Sequence, residues 1–415
     1  MYIRKLELKD FRCFSSVELD LARADGEYAG WTVFAGRNGS GKSTLLQAMA
    51  ALVTGFGEGL FDPAALRRHG QARWTGSLFL EKGKTDQTDA MDLTCRLHWS
   101  EQFRKDDRGL QGIEYLEEPG CLLLGYGPYR RLNERSGDAL SFAKSRFWAD
   151  RLQTLFRNDA ALTDAITWLR EVDYRSLKGD RRGRFQKLKD QSIQILSDGL
   201  FPTGVSVLDV DAEGLKVRSG DQVTTLEQLS DGYKAVAALV VDILRHIVRS
   251  FGDLDFRMLK SEGKPYPVSY REGIVLIDEV ETHLHLSWQR EIGFWLKKHF
   301  PKIQFLVTTH SPFVCQAADS RGIIRLPDPD SGAPVAHLAA DQFDIVVNGN
   351  TADAATSDLF GLPFAHADHA EALRTRFAEL EAALLYEDLS PEARREKREA
   401  FNRLQARLPL GLQER

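Results

Sequence analysis

The chain has 415 residues, more than one ordinary hydrophobic core organises, so two or three structural units are expected. Its 43% hydrophobic content feeds a substantial core, and a net charge of −5 excludes a polycation that grips nucleic acid with its whole surface, leaving only local basic patches for that role. Four scattered cysteines without a CxxC pair argue against a disulfide scaffold or zinc ribbon, the start MYIRKLELKDFRCF is no signal peptide, and no run of about 18 apolar residues spans a bilayer, so a soluble cytoplasmic protein without membrane contact is expected.

Residues 2 to 22 alternate apolar and polar positions, which predicts two strands joined at CFSS. The apolar stretch WTVFA runs into GRNGSGKST and then the helical TLLQAMAALV. A strand-rich region follows to about residue 117, then a short apolar strand, CLLLGYG. From about 140 to 200 apolar residues recur at three- and four-residue spacing (Leu152, Leu155, Phe156, Leu162, Ile166, Leu169), the mark of helices with one buried stripe. Period 2 returns in VSVLDV and LKVRS around a turn at Ala212 to Gly214. LSDGYK then opens a helix, AVAALVVDILRHIV, with Ser230 and Asp231 as helix openers. A polar loop, a buried strand GIVLIDE, another helix and a second buried strand QFLVTTH follow. Apolar strands separated by helices predict an α/β sheet covered on both faces. From about 365 two helices are expected, broken at EDLSPEA, where Ser390 is placed to cap and Pro391 to occupy the first helical position.

The chemistry concentrates in a few short stretches. Gly36, Arg37, Asn38, Gly39, Ser40, Gly41, Lys42 and Ser43 satisfy GxxxxGK[ST] between a strand and a helix, with Thr44 next in line. In that context the glycines turn successive N–H groups toward phosphate, and the helix start adds partial positive charge. Lys42 is expected to reach the β- and γ-phosphates of ATP and Ser43 to bind Mg²⁺. GIVLIDE supplies Asp278 as the second metal-side oxygen and Glu279 to polarise the attacking water. His283 and His285 have no third ligand nearby in sequence and are read as surface or dimer-contact residues. Between Arg175 and Lys189 seven basic residues face one acid, Asp180; this is a solvated surface or, through Arg181, Arg182 and Arg184, a phosphate contact for nucleic acid.

The long separation of Lys42 from Asp278 implies a large insertion, and with it the residues resemble a family: the ABC-type ATPase heads of the SMC, RecF and OLD group, P-loop NTPases within the AAA-type ATPases. DFRCF resembles that group's opening strand, which implies that Arg12 lies near the nucleotide base. DEVETHLHLSWQ resembles its extended acidic strand end, and TTHSPF its switch-histidine strand, which implies that His310 contacts the γ-phosphate; capping of a short helix by Ser311 and Pro312 is a compatible second role for the segment. LSDGYK stands where the family has LSGGQ, with Asp231 and Tyr233 replacing a glycine and the glutamine. The resemblance implies that Ser230 and Gly232 meet the nucleotide of a second subunit, so a homodimer or higher oligomer is expected. The family's glutamine between P-loop and signature is missing from GYGPYRRL, where Tyr129, Arg130 or Arg131 either replaces it or only packs the loop. Within the branch the chain looks most like stand-alone ATPases of bacterial anti-phage defence, such as the Septu ATPase, which implies a separate effector protein, for example a nuclease. A nuclease within this chain is not expected, because the residues after Ile345 are too few and too helical for a TOPRIM segment.

The expected layout is a P-loop lobe over 1–130, a mainly helical insertion ending in a hairpin over 131–222, a signature, Walker B and switch part over 223–345, and a helical cap over 346–415. The expected function is an ATP-hydrolysing, nucleotide-dependent dimer that switches a partner; a DNA-binding ATPase of the RecF kind and an ATP-dependent scaffold with little turnover are the alternatives.

Overall fold

The N-terminal alternation becomes a hairpin. β1 (Tyr2–Phe11) pairs antiparallel with β2 (Phe14–Asp20), and Leu6, Leu8, Val17 and Leu19 share the buried face. The computed structural model describes residues 1–55, 61–84, 93–100, 110–111, 121–128, 149–157, 163–179, 183–201, 204–328, 331–364 and 366–408. β3 (Gly30–Ala35) is apolar at almost every position and leads into α1 (Lys42–Thr54). β4 (Arg73–Glu81), β5 (Leu93–Ser100) and β6 (Leu110–Gln111) complete a five-stranded antiparallel sheet in the order β2-β1-β4-β5-β6.

After β7 (Leu123–Tyr126) come α2 (Ala149–Phe156), α3 (Thr163–Lys178) and α4 (Arg184–Ser197). β8 (Val205–Asp211) and β9 (Gly214–Ser219) form the expected hairpin, and β10 (Gln222–Thr225) extends it to three strands, past the expected boundary at 222. Gly179 and Gly183, both at positive φ, separate α3 from α4, so the basic run is not one helix.

α5 (Asp231–Phe251) follows LSDGYK's serine. The stretch beyond it, expected to be a polar loop, is a two-stranded ribbon of β11 (Phe256–Ser261) and β12 (Lys264–Ser269). Its two-residue turn, Glu262 and Gly263, places both residues at positive φ, the turn geometry that matches strand twist; the glutamate hid this signal, because Asn-Gly or Asp-Gly is its usual form. The chain continues through β13 (Gly273–Ile277), α6 (Leu286–His299), β14 (Ile303–Thr309), α7 (Pro312–Cys315), β15 (Ile323–Arg325), β16 (Ala336–His337) and α8 (Ala340–Asn348).

The second sheet has the order β16-β15-β3-β14-β13-β7 and is parallel except for the β16 edge. α1 lies between the two sheets. Its Leu45, Leu46, Met49 and Leu52 share one core with Leu6 and Leu78 of the antiparallel sheet and with Phe34, Leu276 and Leu306 of the parallel one. Burial on opposite sides explains why α1 is apolar around most of its circumference rather than along one stripe. The C-terminal ends of β3, β13 and β14 lie side by side, the edge of a parallel sheet where ligands bind.

The chain divides into two units, Met1–Thr351 and Ala352–Arg415. α8 packs with α7 within the first unit. After the short α9 (Thr351–Thr356), the second unit is built on the helical hairpin of α10 (Asp368–Tyr386) and α11 (Pro391–Gln405), with Phe377 stacked on Phe401 at 4.5 Å. Among the described residues no helix is long and apolar enough to cross a membrane.

Candidate functional site

The loop after β3 turns on Gly36, Gly39 and Gly41, all at positive φ. Gly41 is held closely. A Cβ there would come within 2.4 Å of Phe14 and 2.6 Å of the Cys13 sulfur, so the tip of the β1–β2 hairpin lies against the start of α1 and only glycine fits. No side chain caps α1, which leaves its first amides facing the loop. Lys42 is buried, and its Nζ donates to the carbonyls of Gly36 at 2.9 Å and Arg37 at 3.0 Å. Burial lowers the Lys42 pKa, and the nearby carboxylates of Asp278, Glu279 and Glu281 oppose that shift.

Asp278 is buried just past β13. Its Oδ1 accepts from Ser43 Oγ at 3.0 Å and from Thr308 Oγ1 at 2.5 Å, and its N–H donates to the carbonyl of Tyr126 at 2.7 Å. Glu279 sits at φ 45°; its N–H donates to Thr308 Oγ1 at 2.7 Å, and Thr282 Oγ1 donates to its carboxylate at 3.2 Å. The Ser43 hydroxyl beside the Asp278 carboxylate is an all-oxygen donor set of the kind Mg²⁺ takes.

His310 follows the last residue of β14. Burial, and next the charge of Lys42, hold its imidazole below the ordinary value against the opposing pull of Glu281, Glu279 and Asp278. Ser311 does occupy the cap position of α7, but its hydroxyl donates to Gln289 instead of capping. Arg12 donates to Gln47 Oε1 at 2.5 Å, and Gln47 donates on to the carbonyl of Leu155.

These residues surround an open pocket of about 290 Å³, lined by Arg12, Cys13, Asn38, Gly39, Gly41, Lys42, Ser43, Thr44, Glu279 and His310. Gly36, Ser40 and Asp278 lie buried behind that lining, and Arg37 points away to pair with Asp328 at 3.4 Å. Ser230 and Gly232 do not line it. Ser230 is exposed at the start of α5, and Gly232 lies against the His283 carbonyl, 2.7 Å from where a Cβ would stand. Tyr233 meets Phe201 edge-on at 5.4 Å.

Arg181 and Arg182 lie outside the described residues, as do Tyr129, Arg130 and Arg131. Arg184 donates to the carbonyl of Gly252, Lys189 pairs with Asp173 and Asp209, and Lys178 covers the ring of Tyr174. His285 caps α6 by accepting from Ser287 N–H, and among the described residues no group of three or more His, Cys, Asp or Glu is placed to hold a metal ion. Sequence reasoning missed Cys13, Thr308, Gln47 and Glu281. Cys13, Thr308 and Glu281 lie inside the stretches DFRCF, TTHSPF and DEVETHLH already singled out, whereas Gln47 carried no signal.

Two family models divide most of the chain: "AAA ATPase domain" matches residues 1–110, and "AAA domain, putative AbiEii toxin, Type IV TA system" matches 128–316. A crystal structure of an SMC head bound to the C-winged-helix domain of ScpA superposes with a TM-score of 0.50, covering 82% of this chain and 99% of that one at 18% identity. An SMC head with an extended coiled coil, bound to the C-terminal domain of ScpA derived from Pyrococcus furiosus, gives 0.50 at 16% identity over 84% and 98%. The chain has the fold of these SMC heads.

Among curated relatives, the chain is 27% identical to Septu protein PtuA of Bacillus mycoides over 87% of its own length and 45% of that protein. It is 23% identical to the Retron Vc95 probable ATPase of Vibrio cholerae over 77% and 72%, and 26% identical to RecF of an Arthrobacter species over 61% and 60%. The chain therefore spans less than half the length of that Septu relative.

Proposed function

We propose that this head binds Mg²⁺-ATP in the pocket between Lys42 and His310, hydrolyses it, and closes with a second copy of itself around two nucleotides, switching a separate effector protein in a bacterial anti-phage defence system. The observation that carries this reading is the pocket itself: the P-loop amides, Lys42, Glu279 and His310 converge on one cavity, while Ser230 and Gly232 stand outside it. In the proposed mechanism the loop amides and Lys42 hold the β- and γ-phosphates, and Ser43 and Asp278 hold the metal ion, which neutralises phosphate charge when bound. Glu279 takes the proton of the attacking water, and His310 donates a hydrogen bond to the γ-phosphate. Catalysis then needs the positive end of α5 from the partner subunit, which supplies its amides to the same phosphate. The Septu and retron relatives support the defence setting.

Glu279→Gln tests the enzyme reading. It should bind labelled ATP with parental affinity and hydrolyse it about 10²- to 10⁴-fold more slowly, the usual worth of a positioned base. Parental turnover would remove Glu279 from that role. Steady-state hydrolysis with and without DNA distinguishes an effector switch from a DNA-responsive ATPase.

A further inference from the structure

We infer that Glu281 is the positioning residue of His310, an assignment that rests on the proposed role of His310 at the γ-phosphate. The ladder between β13 and β14 ends at Ile277 and Val307, and the chain then swings outward through Glu279 at positive φ. Val280 N–H still reaches the Thr308 carbonyl at 3.1 Å, after which the strands part. β14's other neighbour stops at Ala35 opposite Thr309, so the N–H of His310 is the first without a strand to receive it. Glu281 receives it. One carboxylate oxygen accepts from the His310 N–H, and the other accepts from Thr309 Oγ1 at 2.7 Å.

Thr309 Oγ1 has one proton to give and gives it to Glu281, and its lone pair accepts the Ser311 N–H at 2.9 Å. The residues on both sides of the histidine are therefore tied down. Ser311 Oγ donates to Gln289, and Gln289 donates to the carbonyl of Leu284, which anchors the same turn to the loop carrying Glu281. The main chain at 309–311 sets the direction in which the imidazole leaves the strand, and a carboxylate suits the site because it accepts two convergent hydrogen bonds without offering a competing donor. Its charge also counters the depression of the His310 pKa by burial and Lys42.

The test is a mutant cycle on the full chain. Glu281→Ala should lower kcat about 10- to 100-fold, the scale seen when an orienting partner behind a functional histidine is removed, while ATP affinity stays parental. In a His310→Ala background the same change should cost less than about twofold, because it acts through a ring already gone. Thr309→Val should follow Glu281→Ala in direction and Thr309→Ser should restore turnover, which keeps the test alive should Glu281→Ala not fold. Parental kcat in both Glu281→Ala and Thr309→Val, a loss that multiplies undiminished in the His310→Ala background, or a matching fall in ATP affinity would each overturn the assignment. If His310→Ala itself hydrolyses at the parental rate, the proposed role of His310 fails first, and the positioning role of Glu281 falls with it.

Discussion

Two helices of this molecule begin with a serine in nearly the same backbone conformation, and they use it differently. Ser390, at φ −59° and ψ 154°, accepts the N–H of Ala393 and closes the first turn of α11. Ser230, at φ −64° and ψ 155°, makes no such bond at the start of α5, and Asp231 beside it is almost fully exposed. Backbone geometry permits the cap in both places, so the difference lies in what surrounds each helix start. α11 is capped within its own unit, whereas α5 presents an exposed serine hydroxyl that caps nothing, the arrangement that the proposed dimer uses.

The largest effect that would break this comparison is Ser230→Arg, which should leave ATP binding intact and abolish both dimerisation and hydrolysis, read by labelled-ATP binding, sedimentation and phosphate release. Lys42→Ala should instead lose ATP binding, because the loop gives up its point charge. Mixed together, the two inactive chains should regain hydrolysis, since a mixed dimer pairs the intact loop of one chain with the intact Ser230 of the other and so holds one complete site. Parental hydrolysis by Ser230→Arg alone would end the reading of Ser230 as a residue acting on a second subunit.

A smaller effect concerns the body of α5, which is as enclosed as its start is open. His246 is fully buried, and burial, reinforced by Arg245, Arg151 and Arg249, holds its pKa far below the ordinary value. His299 at the end of α6 is pushed down to about 4, mainly by burial. Both are neutral in the folded protein. Below about pH 6.5 the unfolded chain binds protons that the folded chain refuses, so stability should fall with falling pH by about 1.4 kcal/mol per unit for each histidine. For His299 this loss ends near pH 4, where the folded form also charges. Urea unfolding at pH 7, 6 and 5 reads the slope, Ser230→Arg should share it, and His246→Gln should make it shallower. A flat profile would show that neither ring is held neutral.

The smallest effect sharpens the comparison directly. Ser390→Ala should cost about 1 kcal/mol of stability through the lost cap and leave hydrolysis unchanged. Ser230→Ala, with no cap to lose, should stay within about 0.5 kcal/mol of the parent in stability. Equal destabilisation by both changes would mean that Ser230 caps its helix after all.

What the sequence made legible was local. The loop from Gly36 to Ser43, the acids after GIVLI, TTHSPF and the Ser390-Pro391 start are each written within about ten residues, where spacing alone carries geometry. What it concealed depends on distant partners. Glu281 reads as one more acid in DEVETHLH until the fold brings Thr309 and His310 to it. Asp242 and His246 look like a polar stripe on an apolar helix, yet both are buried, with Asp242 accepting from Tyr126 at 2.9 Å across more than a hundred residues of chain. The family resemblance drew attention to LSDGYK but could not show that its serine leaves α5 uncapped.

β14 is the strand on which the glycine-rich loop, the acidic strand end and the histidine all depend, because it lies between β3 and β13 and every one of its residues is buried. In deuterated solvent its amides should therefore be among the last of the whole chain to exchange, opening only when the molecule unfolds globally. The loops at its tip should exchange earlier and slow when nucleotide is added. That pattern would mark a rigid rail with moving ends, in which the chemistry is adjusted by the segments leaving the sheet while the sheet itself keeps its register.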